Sequence, residues 1–126
     1  MNLTILQGTY AICRFSTNET IPQQIYASSF YSITKTVEEI SIVVEESLVP
    51  DKTSKVEKNW RIFKVEGPLD FGLTGILNSL TRPLAEAGIS IFAISTFDTD
   101  YIMVKESKLD LVVEVLEKSG HVVTRN

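Results

Sequence analysis

Residues able to do chemistry are few in this chain, and most sit where a plain structural role accounts for them. The one histidine, His121, follows a glycine at the head of a short terminal apolar run, where a surface position is expected, and it has no evident nucleophile to serve as base. The one cysteine, Cys13, falls in the apolar rhythm of a strand and reads as a buried, inert thiol. It has no partner for an internal disulfide, and with His121 it is too little for a zinc site. Asp98 and Asp100 are two carboxylates two residues apart, yet turn chemistry accounts for Asp98, and a hard cation wants more oxygens than one hairpin offers. The segment Glu66 to Leu77, EGPLDFGLTGIL, is richer, with three glycines between a strand pattern and a helix pattern. It lacks the G-x-G-x-x-G and G-K-[ST] spacings of nucleotide phosphate loops. Its backbone can still approach a ligand closely at Gly72 and Gly75, and the helix that follows offers free N–H groups suited to a carboxylate. The alternative is structural: Gly67-Pro68 makes a turn, Asp70 caps the helix and Gly75 lets it pack on the sheet.

The elements that must hold this segment are legible from periodicity. Trp60 to Glu66 reads as a strand stopped by Gly67-Pro68. Apolar residues at Leu73, Ile76, Leu77, Leu80, Leu84 and Ala87 follow helical spacing up to Gly88. Pro83 inside that pattern costs about 3 kcal/mol in a regular helix and predicts a kink or an opened turn. Ile89 to Phe97 is a strand, Asp98 to Asp100 a turn, and Tyr101 to Val104 the returning strand. Ser107 with Asp110 forms a capping-box pattern before a second helix that buries Leu109, Val112, Val113 and Leu116 and ends at Gly120. His121 to Thr124 closes as a strand. The order β-α-β-β-α-β predicts an α+β, ferredoxin-like fold with two helices on one face of an antiparallel sheet.

The first half reads as a reduced copy of the second. Ser32-Ile33-Thr34 aligns with Ala93-Ile94-Ser95, Ile40 to Val43 with Tyr101 to Val104, and Glu45 with Glu106, all 61 residues apart. Between the strand Tyr10 to Phe15 and the next, TNETIPQQIYASS has room for barely two helical turns, so the first helix of this copy is shortened. Asn2 to Leu6 is expected to turn back through Gly8 and pair antiparallel with Tyr10 to Phe15. Pro50 to Lys58 is the polar linker, which gives subdomains 1–57 and 58–126.

Composition narrows the function. The chain has 126 residues, 44% of them hydrophobic, and 12 Lys and Arg against 16 Asp and Glu, for a net charge of −4. That is enough chain for a core, and it lacks the basic cluster expected of a nucleic-acid or anionic-membrane binder. No leader or membrane-spanning run stands out in the sequence, so a cytoplasmic location is expected.

EGPLDFGLTGIL at 66–77, PLAEAGISIFAISTFDTDYIMV at 83–104 and the preceding WRIFKV closely resemble the ACT-domain family, in particular its branch of small tandem-ACT proteins, which also supplies modules to the CASTOR arginine sensors. TYAICRF and FYSITKTVEEISIVVEE agree more weakly, so the resemblance spans nearly the whole chain as two tandem ACT-like copies, 1–57 reduced and 58–126 complete. It implies a non-catalytic regulatory module that needs no cofactor or metal and binds a small molecule, commonly an amino acid, where ACT units meet, with a homodimer as the expected assembly. The residues it points to are Leu73, Thr74, Gly75 and Ile76 at the helix start and Ser95, Thr96, Phe97 and Asp100 on the adjoining hairpin. Amides around Thr74 to Ile76 would hold a carboxylate and Asp100 an ammonium or basic group. Arginine-recognising modules carry an acidic residue ahead of the helix-start glycine; that place here holds Leu73, which implies a less basic ligand. The alternative function is a ligand-free dimerisation module.

Overall fold

The structure is a computed structural model that describes residues 1–67 and 75–125. Its elements run β1 (Asn2–Ile5), β2 (Tyr10–Phe15), β3 (Ser32–Lys35), β4 (Ile40–Glu45), β5 (Val56–Val65), α1 (Ile76–Glu86), β6 (Phe92–Ser95), β7 (Asp100–Lys105), α2 (Leu109–Lys118) and β8 (Val122–Arg125). The chain divides into two compact units. One comprises Met1–Gln7 with Trp60–Asn126, the other Gly8–Asn59.

The first unit has the strand order β6-β7-β5-β1-β8. β7 lies antiparallel between β6 and β5, with Phe63 opposite Ile102 and Ser95 opposite Asp100. Alternation along these strands sends Leu3, Ile5, Phe63, Val65, Ile102 and Val104 to one face. Leu80 and Leu84 of α1 and Leu109, Val112 and Leu116 of α2 close that face into a single core. β1 does not turn back on β2. It pairs antiparallel with β5 (Leu3 opposite Val65) and parallel with β8 (Asn2 beside Val122), so the amino-terminal strand is interior to this sheet. Gly8, at φ +89°, lies between β1 and β2 without closing a hairpin between them.

The second unit contains β2, β3 and β4 in the order β3-β4-β2, with Cys13 opposite Ile42 and Ile33 opposite the same residue. Ala11, Cys13, Phe15, Ile25, Ile40, Ile42 and Val44 form its core. Burial pushes the Cys13 thiol pKa up, against a smaller opposing pull from Lys58, which fits an inert thiol. Between β2 and β3 the chain makes only a 3-10 turn at Gln23–Ala27.

This overturns the expectation of two ACT-like copies. Among the described residues both α-helices belong to the first unit, and one ferredoxin-like arrangement is present. What recurs is smaller: a hairpin followed by a 3-10 turn, 60 residues apart (36 to 96, 40 to 100, 46 to 106). Thr36 and Thr96 each open a turn closed by the same bonds, Thr36 N–H to Glu39 carbonyl at 2.9 Å and Thr96 N–H to Thr99 carbonyl at 2.8 Å. The 61-residue alignment was one position out, and in strands such a slip exchanges the two faces.

Two further expectations fail for local reasons. Ser107 lies within a 3-10 turn, Glu106–Lys108, and α2 begins at Leu109 without a side-chain cap. Asp110 instead meets Arg125 at 3.1 Å in an exposed pair. His121 is not a surface residue: it is 8% exposed, and its Nε2 lies 3.1 Å from the Ser79 carbonyl. Pro83 explains this, because it has no N–H to give to the carbonyl four residues back, which is that of Ser79. A carbonyl only accepts, so Nε2 carries the proton and replaces the bond the proline removed. His121→Ala should therefore cost about 1–3 kcal/mol, and clearly less in a Pro83→Ala background, where the residue 83 amide serves Ser79 again. Urea denaturation of the four proteins measures the coupling; additive effects would refute it.

Candidate functional site

The site implied by the sequence falls at one end of the first unit. β5 stops at Val65, and antiparallel register brings the start of β7 and the end of β6 to the same level. There the Ser95 hydroxyl donates to Asp100 Oδ1 at 2.6 Å, fixing a partly exposed carboxylate at the mouth of the hairpin. Thr96 closes the turn: its N–H and its hydroxyl both donate to the Thr99 carbonyl, at 2.8 and 3.0 Å, while its Oγ1 accepts from the Thr99 N–H. Phe97 stands at the tip, 80% exposed.

The helix start reaches this end by another route. Gly75 precedes α1 with φ +75°, a left-handed conformation that favours glycine, and α1 begins at Ile76 with no side-chain cap among the described residues. The N–H groups of its first turn have no intrahelical partners by construction, and the helix dipole makes that end electropositive. The first turn is tied to the strand end through Ser79 and His121, beside which Val122 pairs with Asn2 and Asn2 accepts the Glu66 N–H at 2.8 Å. Leu73 and Thr74 lie outside the described residues, as do Gly72 and Asp70. Of the eight expected residues, the structure places Gly75 and Ile76 at the helix start and Ser95, Thr96, Phe97 and Asp100 on the hairpin, all at the end of the sheet where β5 stops.

One positioning residue escapes a reading by composition. Thr99 looks like a turn residue, yet it is 4% exposed and its hydroxyl donates to the Val65 carbonyl, pinning the hairpin to the last residue of β5. The only sequence signal is the pair Thr96 and Thr99, whose spacing lets one threonine close the turn and the other face inward. Among the described residues no group of three or more His, Cys, Asp or Glu is placed to hold a metal ion, and no helix is long and apolar enough to cross a membrane.

Two helices on one face of a sheet in the order β-α-β-β-α-β, extended by β1, define a ferredoxin-like module. Residues 55–118 match the family profile of the ACT domain, and the chain belongs to the ACT-domain family. ACT domains are non-catalytic regulatory modules, and as such this one is not an enzyme. Residues 8–52 match a different profile, that of an N-terminal domain, which agrees with the absence of a second ACT copy there.

Relatives point the same way. The chain is 33% identical over 99 residues to the cytosolic arginine sensor for mTORC1 subunit 1 of Bos taurus, and 33% identical over 97 residues to that of Homo sapiens. Those matches cover 71% and 69% of this chain but 30% of each relative, so the chain spans less than a third of their length. A crystal structure of an Agobacterium tumefaciens protein superposes with a TM-score of 0.93 at 38% identity, covering 99% of this chain and 92% of the other. A Clostridium acetobutylicum aspartate kinase, described as an allosteric enzyme, shares the fold with a TM-score of 0.67 at 13% identity, covering 93% of this chain and 34% of its own.

Proposed function

We propose that the ACT unit is an amino-acid-responsive regulatory module, with the ligand held between the start of α1 and the hairpin 95–100. The observation that carries this reading is the Asp100 carboxylate, held by Ser95 at the end of the sheet that also receives the start of α1. The two ends of a free amino acid need those two groups: amides at Gly75 and Ile76 for the carboxylate, and Asp100 for the ammonium. Thr96 and Phe97 border the same hairpin and would line the ligand's flank. Two or three charge-assisted hydrogen bonds of about 1.5–3 kcal/mol each, less the ligand's lost freedom, correspond to affinities of roughly micromolar to millimolar. That range suits a metabolite sensor. The curated relatives are arginine sensors by name, but Leu73 at the place of an acidic residue favours a neutral amino acid here.

The module would act in the cytoplasm as a homodimer, and its net charge of −4 without a basic cluster does not favour nucleic acid or an anionic membrane as partner. Among the described residues β6 and β8 are the edge strands of the first unit, and their outer backbone groups could pair with a second copy. A thermal-shift screen against the twenty amino acids tests the reading. A ligand at 100 times its Kd stabilises by about 2.7 kcal/mol, a shift of several degrees. No shift with any amino acid at about 10 mM would reject it, since even millimolar affinity is then close to saturated.

A further inference from the structure

The unit Gly8–Asn59 holds a cavity of about 240 Å³ that the amino-acid reading does not use. Its volume is below that of a drug-sized pocket and suits a small metabolite. Two cations line it, Arg14 on β2 and Lys52 in the loop before β5, together with the hydroxyl residues Thr53 and Ser54, the Glu19 carboxylate and the buried ring of Phe15. In a chain of net charge −4 this is a local excess of positive charge.

Arg14 and Glu19 are held before any ligand arrives. Arg14 Nη2 donates to the Glu38 carbonyl at 3.0 Å, and the Arg14 N–H to the Lys55 carbonyl at 2.9 Å, which fixes the guanidinium while leaving most of its donors available. Glu19 Oε1 accepts from the Ser16 N–H at 2.9 Å and the Ser16 hydroxyl at 2.8 Å. Those bonds, with a smaller contribution from Arg14, hold the Glu19 carboxyl below the usual carboxylate range, so it stays ionised opposite the cations. A turn from the Pro50 carbonyl to the Thr53 N–H, 3.0 Å, shapes the loop. Thr53 Oγ1 is covered and has no hydrogen-bond partner among the described residues. A covered hydroxyl without a partner is unfavourable, and one χ1 rotation toward an acceptor in the cavity would relieve it.

We infer that this cavity is a second ligand site, separate from the ACT hairpin, for a small oxyanion metabolite whose carboxylate or phosphate lies between Arg14 and Lys52. Thr53 supplies a further donor to the anion. Glu19 selects a ligand that also carries a hydroxyl or other donor. The shared chemistry is an anionic oxygen cluster with a neighbouring donor; lactate represents the carboxylate form and inorganic phosphate the phosphate form.

Amide NMR of the whole protein, titrated separately with lactate, inorganic phosphate and sodium chloride at matched ionic strength, tests the site. One of the two oxyanions should shift the Arg14, Thr53 and Ser54 amides saturably, with a Kd on the order of 1 mM. Arg14→Gln and Lys52→Gln should each weaken that binding about tenfold, and Thr53→Val severalfold without loss of stability, because its hydroxyl makes no bond in the free protein. Asp100→Asn should leave it unchanged, which separates this site from the ACT reading. Which oxyanion saturates identifies the class. Shifts that only follow ionic strength, or saturable binding that survives the Arg14→Gln, Lys52→Gln double variant, would overturn the proposal.

Discussion

Replacing Ile5 by Asp, or removing residues 1–7, is expected to unfold the ACT unit outright. Leu3 and Ile5 are each 1% exposed and contribute to the core that α1 and α2 close. Truncation of such a side chain to Ala costs about 2–5 kcal/mol, a large share of the 5–15 kcal/mol that stabilises a typical domain. A buried unpaired carboxylate costs more than that, and deletion also strips the backbone partners of both β5 and β8. The loss should appear in far-UV circular dichroism as disappearance of the cooperative helical transition, with Ile5→Ala as a milder variant shifted to lower urea. A deletion variant that keeps both its helical signal and its midpoint would show that β1 is dispensable.

Asp100→Asn should weaken the amino-acid response roughly ten- to a hundredfold while leaving the fold in place. The substitution keeps the shape and the acceptor for the Ser95 hydroxyl but removes the charge that would face the ligand's ammonium. A lost charge-assisted bond of about 1.5–3 kcal/mol lowers affinity by roughly ten- to a hundredfold. The effect on stability should stay within about 1 kcal/mol, because the Ser95 bond is exposed. Calorimetry with the amino acid found by the thermal screen reads the first quantity and urea denaturation the second. Unchanged affinity in this variant would remove Asp100 from the site.

The second half of the fold was readable because each element carries its own signal. Leu80 and Leu84, three and seven residues past Leu77, mark one helical face, Leu109, Val112 and Leu116 mark another, and Gly120, at φ +94°, ends the second helix as expected. Long-range choices were not readable. Asn2–Ile5 has a pattern that suits a strand on either unit, and no local residue tells it to bypass Tyr10–Phe15 for Val65 and Val122. The internal repeat misled for a related reason. Two hairpins closed by the same threonine turn look alike over a dozen residues whether or not helices accompany them, and the segment between β2 and β3 holds only a 3-10 turn built around buried Ile25. On the candidate site, spacing showed a hairpin turn at Asp98 to Asp100, and Ser95, Thr96, Phe97 and Asp100 were named only through the family resemblance. The roles of Thr99 and His121 were not legible, since each depends on a carbonyl far along the chain, that of Val65 and that of Ser79.

The position of β1 also dictates an order of assembly. Its neighbours in the sheet are distant in sequence: Ile5 lies opposite Phe63 and beside Arg125. Closing such long loops is entropically unfavourable before the contacts that reward it exist, and topologies of this kind fold slowly. The Gly8–Asn59 unit, by contrast, is built on nearby pairings such as Ser32 with Val43 and Cys13 with Ile42. It leaves and re-enters between two hydrogen-bonded strands, with the Leu6 N–H still donating to the Ile62 carbonyl at 2.9 Å. The inserted unit can therefore form from local pairings while β1 waits, and the first unit can close its sheet only once β8, some 120 residues after β1, is available to pair with it.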